Sequence, residues 1–125
     1  MPSKEDLKRQ ICDVIERRGE ALIGIGETIR HQPELGFKEF KTAALVAKTF
    51  EEIKVPHRTG LAITGVKAEL KGAKPGPTLA LIGELDALVV SGHPLADPMT
   101  GAAHACGHNA QAPASWARLT IVRGV

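Results

Sequence analysis

Residues Thr78-Leu79-Ala80-Leu81-Ile82 form a continuous apolar run that ends at Gly83 and is followed at once by Glu84 and Asp86. A short run without alternation predicts a strand covered on both faces, since neither side presents a polar row to water. Such a strand needs a layer above and a layer below, which points to an α/β fold. In open α/β sheets, ligands bind beyond the carboxyl ends of the strands. Glu84 and Asp86 would then be delivered to the edge where chemistry is done, whereas acids at the start of a strand would mean little.

Upstream of that run the periodicity is helical. Leu7, Ile11, Val14/Ile15, Leu22, Ile25 and Ile29 recur at helical spacing and predict a helix over 4–31, with Ser3 as its N-cap and Asp6 completing a capping box. Gly19, Gly24 and Gly26 weaken it locally and allow a kink, and Pro33 stops it. His31 to Phe37 reads as a polar connection into a second helix near 39–53, with Phe40, Ala43/Ala44, Ala47 and Phe50 as its apolar stripe. After Pro56 the pattern turns β-like: 61–71 alternates loosely, and Lys74-Pro75-Gly76-Pro77 is a turn. Residues 91–103 form a loop punctuated by Gly and Pro, in which His93 and Asp97 shape the turn. His57 is placed at the surface near a turn.

A chain of 125 residues fits one domain able to bury a core without staples. Its 43% apolar and 24% charged residues belong to a soluble globular protein, and a cytoplasmic location is expected. A net charge of +2 with no basic run, and 3% aromatics with no Tyr, argue against nucleic acid. No stretch approaches the ~20 apolar residues of a membrane span, and the N-terminus lacks the hydrophobic region of a secretory signal. The two cysteines make no disulfide framework. Cys12, on the first helix, reads as a small buried hydrophobe.

Cys106 belongs to a different setting. His104-Ala-Cys-Gly-His-Asn109 places a thiol and two imidazoles within five positions, with Gly107 allowing a tight turn. Thiolate and neutral imidazole are preferred ligands of borderline-soft divalent cations. The same residues also suit a Cys-His nucleophilic pair, which needs the imidazole within hydrogen-bond reach of Cys106 and an oxyanion hole. The acidic turn upstream favours metal.

Three segments in order, His31-Gln-Pro-Glu-Leu-Gly-Phe37, Gly83-Glu-Leu-Asp-Ala-Leu88 and Gly101-Ala-Ala-His-Ala-Cys-Gly-His-Asn-Ala-Gln111, resemble the M20 metallopeptidase family. The likeness is to its amidohydrolase branch, which includes N-acyl-amino-acid, hippurate and auxin-conjugate hydrolases. It covers roughly residues 5–111. The resemblance implies the N-terminal portion of a zinc-peptidase-like α/β sandwich over 1–111, two helices and then strands, with the family's lid domain absent. It implies a hydrolase using two divalent ions (Zn, Mn or Co), with a small N-acylated amino acid or similar conjugate as substrate. By that likeness Cys106 and His108 are metal ligands and Asp86 supports the chemistry by orienting a ligand. Glu84 and His104 are further candidates. Asn109 stands where many relatives carry Asp.

The resemblance also marks what is missing. The family's general base lies in a Glu-Glu pair downstream of the Cys-Gly-His segment, and the one such pair here, Glu51-Glu52, lies upstream. After Gln111 the likeness decays: 112–125 reads as a divergent tail with a poor apolar stripe after Pro113, as a frameshift or early stop would leave. Two ligands from one short segment are too few to hold zinc tightly. The expectation is therefore an inactive fragment of an amidohydrolase, with uncovered apolar surface that drives homo-oligomerisation. The alternative is a non-catalytic metal-binding or protein-interaction module that keeps the ancestral core.

Overall fold

The computed structural model describes residues 2–123. The order is α1 (Lys4–Arg17), α2 (Gly19–His31), α3 (Phe40–Glu52), β1 (His57–Leu61), β2 (Gly65–Ala68), β3 (Leu88–Val89), β4 (Ala102–Ala103) and α4 (His108–Arg123). Among the described residues this is a mixed α/β arrangement, with two antiparallel two-stranded sheets, β1–β2 and β3–β4.

α1 starts where its capping box says it should. The Ser3 hydroxyl accepts from the Asp6 amide at 3.1 Å, and the Ser3 amide donates to the Asp6 carboxylate at 3.1 Å. The single helix expected over 4–31 is two helices, broken at Arg18 (φ −100°, ψ 2°) immediately before Gly19. Glycine is a poor helix former, so the break falls where the helix is weakest. The Arg18 guanidinium lies 5.7 Å from the centroid of the Trp116 ring, which anchors the bend. One consequence corrects a second expectation. No residue of α1 is buried, its stripe Leu7, Ile11 and Ile15 stays exposed, and Cys12 is exposed with it.

α3 forms close to its expected bounds but turns a different face inward. Thr42, Thr49 and Phe50 are buried and Val46 packs against the core, while Phe40 is exposed. The core joins Phe50, Ile53, Val55 and Trp116, with Leu22, Ile25, Val66 and Leu119 packed around them. His57 is half-buried rather than at the surface, with its ring 5.8 Å from that of Phe50 and its Nδ1 2.9 Å from the Val55 carbonyl oxygen.

Trp116 and Leu119 come from the stretch read as a divergent tail, which is helical through Arg123. Pro113 sits inside α4, where it removes one backbone donor. α2 crosses α4 at that point. A Cβ on Gly26 would lie 3.4 Å from the Asn109 carbonyl oxygen and 3.6 Å from the Pro113 ring, so glycine sets how closely the two helices approach.

Residues 78–82 depart furthest from expectation. No strand forms there and the run is exposed, with Leu79 at 85% and Ile82 at 86% of full accessibility. A strand covered on both faces needs hydrogen-bonded neighbours and a layer on each side. Neither ladder among the described residues extends to this run.

Candidate functional site

Glu84 and Asp86 are placed by contacts on their carboxyl side. The Ala87 amide donates to the Glu34 carbonyl oxygen at 2.8 Å, and Leu35 and Ala87 form an isolated parallel bridge. Next, Leu88 pairs with Ala103 and Val89 with Ala102, and Ala87, Ala102 and Ala103 are all buried. Small side chains allow this close packing of short backbone segments. The acids therefore precede a strand instead of following one, which corrects the expected delivery from the end of 78–82. β4 itself lies inside the stretch read as loop, and His104 follows directly on it.

α4 brings the second half of the cluster. Gly107 adopts φ +93°, a conformation L side chains rarely take, and this turn starts the helix at His108. The His108 Nδ1 lies 3.0 Å from an Asp86 carboxylate oxygen and 3.0 Å from the Asp86 carbonyl oxygen, and its Nε2 lies 3.0 Å from a Glu84 carboxylate oxygen. Nδ1 faces two acceptors and so carries a proton. Nε2 faces the Glu84 carboxylate. Both carboxylates also stand at the N-terminus of α4, where the helix dipole favours negative charge. Gln111, one turn further on, accepts from the Glu84 amide through its Oε1 at 2.7 Å.

His104 is buried at 8% accessibility, and among the described residues neither ring nitrogen has a hydrogen-bond partner. Burial holds its imidazole below the ordinary value of 6.5, and the neighbouring His108 acts in the same direction. An unpaired buried imidazole is costly, and a donor or a cation at its nitrogen would relieve that cost. Cys106 is exposed. The carboxylates, imidazoles and thiol near this turn are the donor kinds a divalent ion takes. They fit in kind but not yet in number: among the described residues, no group of three or more His, Cys, Asp and Glu is arranged to hold a metal ion. Nor do Cys106 and His108 make a nucleophilic pair, since both His108 nitrogens already face carboxylates.

Two residues matter more than their sequence suggests. The Glu34 carboxylate accepts from the Lys41 amide at 3.0 Å and from the Thr42 amide and hydroxyl at 2.9 and 3.0 Å, capping α3 from outside the helix. Nothing in the spacing of 31–37 announces that role. Gln111 was legible in principle, because a residue three positions after His108 lies on the same helix face.

Comparison with known proteins bears on what such a cluster does. The chain is 38% identical over 106 residues to YhaA of Bacillus subtilis, whose name describes it as an amidohydrolase, covering 82% of this chain and 27% of that protein. It is 33% identical over 108 residues to thermostable carboxypeptidase 1 of Saccharolobus solfataricus, covering 83% and 28%. It is 38% identical over 91 residues to N-acetyl-L-cysteine deacetylase of Bacillus subtilis, covering 70% and 22%. The chain thus spans about a quarter of the length of these relatives. No protein-family model and no solved structure matches it.

Proposed function

The chain belongs to the amidohydrolase branch of the M20 metallopeptidase family, matched over part of its relatives' length, and on that basis we propose that its Glu84–His108–Asp86 cluster is one side of a divalent-metal site. The names of the relatives support hydrolysis or deacetylation, and the imidazoles, carboxylates and thiol near the turn support a divalent ion. The substrate class proposed is N-acyl amino acids or similar small conjugates. Residues 1–111 would be the N-terminal portion of a catalytic domain of the zinc-peptidase-like sandwich type.

One observation supports the reading above the others: a single imidazole with a carboxylate facing each nitrogen. Asp86 fixes the tautomer of His108, as a carboxylate behind a ligating histidine does. That leaves Nε2 and Glu84 converging on one point, where a cation would replace a proton. Glu84 and His108 would hold the ion, with Cys106 and His104 as the nearest further donors in sequence. A bound divalent ion would supply polarisation of the amide carbonyl. Among the described residues no group of three or more donors is arranged to hold an ion, so the 125 residues by themselves are proposed to be inactive. A second reading, an interaction module that self-associates, is favoured by the exposed 78–82 run.

Equilibrium dialysis against Zn and Mn, together with an N-acyl amino acid hydrolysis assay, tests both parts. The expected result is weak binding that falls on His108→Ala and on Glu84→Ala, with no turnover. Metal binding indifferent to both substitutions would remove the site. Turnover abolished by Cys106→Ala would show that the chain is active on its own.

A further inference from the structure

Between α3, the β1–β2 hairpin and α4 lies a cavity of about 470 Å³. Its size falls within the range of small-molecule sites, with room for roughly fifteen waters. Phe50, Val66 and Trp116 provide apolar wall, Glu39 and Asp86 are its acids, and Thr49, Thr64 and Ser115 its hydroxyl members. The most informative of these is Glu39. It is only 7% accessible, and the Thr64 hydroxyl donates to its Oε2 at 2.7 Å. Among the described residues, no Lys, Arg or His forms an ion pair with it. A carboxylate buried beside apolar walls with a neutral donor calls for a cation. Asp86, the other acid on the lining, already faces His108.

We propose that this cavity binds a small amphipathic amine, its apolar body against Phe50, Val66 and Trp116 and its ammonium group on Glu39. Glu39, buried with only a neutral donor, selects the cation-headed member of a series and disfavours the carboxylate one. It is therefore not a pocket for the carboxylate end of an N-acyl amino acid. The inference stands independently of the hydrolytic reading and needs no metal.

The sequence supplies the probe. Trp116 is the single tryptophan of the chain and it lines the cavity, so its emission reports an occupant directly. Hexylamine, hexanol and hexanoate share one apolar body and differ in the head group. Titrated into the purified chain, hexylamine is expected to shift Trp116 emission saturably, with hexanol and hexanoate at least tenfold weaker. Glu39→Gln should bring hexylamine and hexanol within twofold of each other. Thr64→Val, which removes the hydroxyl donor but leaves the charge, should keep the amine preference and guards against a Glu39 variant that fails to fold. Equal response to hexylamine and hexanoate, no saturable response to hexylamine, or an amine preference surviving in folded Glu39→Gln would overturn the proposal. So would an emission shift that follows protein concentration instead of amine, which would assign the cavity to a second copy of the chain.

Discussion

Replacing Glu34 by alanine should destabilise the fold by about 2–3 kcal/mol, far more than its setting in a polar connection suggests. The α3 N-cap position is Glu39, whose own side chain makes no capping bond because it is turned to Thr64. Glu34 takes over, accepting three hydrogen bonds from Lys41 and Thr42. Loss of a cap costs about 0.5–2 kcal/mol. The Thr42 amide and hydroxyl belong to a residue only 2% accessible, so its groups are left poorly hydrated once the acceptor is gone, worth about 1–3 kcal/mol. A negative charge at a helix N-terminus adds roughly 0.3–1 kcal/mol. These terms overlap, so the sum is set below their total. Urea unfolding followed by Trp116 emission is a suitable assay. With a slope of roughly 1–3 kcal/mol per molar for a domain of this size, the midpoint should fall by about 1–2 M. Glu34→Gln keeps one acceptor oxygen and should lose about half as much. A fall of under about 0.3 M for the alanine variant would refute the capping argument, since it would mean these groups find water without penalty.

Two further outcomes follow from backbone and titration. Gly107→Ala meets no atom within 4 Å, so its cost is conformational alone: φ +93° should make it about 1–2 kcal/mol destabilising. Gly19→Ala, also in open space but at the start of a helix, should instead stabilise by about 0.5–1 kcal/mol. The reverse order of urea midpoints would show that the turn before His108 is not held as described. His104 is kept neutral in the fold, with its pKa below 6.5, so the unfolded chain takes up a proton first as the pH falls. Its contribution to stability is present in full above about pH 6.5 and is lost as the pH drops through the lowered folded value. His104→Gln should flatten that part of the pH profile of the urea midpoint. Stability that rises on going from about pH 7 to pH 5 would contradict the assignment.

What the sequence reveals and what it hides divide along the range of the interactions. The capping box of Ser3 and Asp6, the bounds of α3 and the turn at Gly107 are settled within a few residues, so they can be read locally. The pairing of Glu84 and Asp86 with His108 spans more than twenty positions, and it was legible only because three ordered segments resemble one family. Spacing alone could not tell that Glu34 caps α3, because that bond depends on the chain doubling back over seven residues. Cys12 and the α1 stripe misled for a related reason. Amphipathic spacing marks a face able to be buried, not one that is, and the break at Arg18 decides the outcome. Trp116 lay beyond the end of the resemblance, yet it anchors the core.

The exposed run 78–82 and the two-carboxylate embrace of His108 are consequences of one arrangement. Gly83 separates them by a single residue, and Gln111 fastens the backbone just beyond it, at Glu84. From Glu84 onward each step is tied down: Glu84 to α4, Asp86 to His108, Ala87 to Glu34, Leu88 and Val89 to β4. Before Gly83 the run makes no ladder among the described residues. The cluster therefore owes its geometry to α4 and to the 31–37 connection, not to a central sheet. An imidazole and two carboxylates held in this way stay aligned while the apolar run beside them is uncovered. The proposed metal binding and the proposed self-association are therefore separable: substitutions at Glu84, Asp86 or His108 should weaken the first alone, and substitutions at Leu79 or Ile82 the second alone.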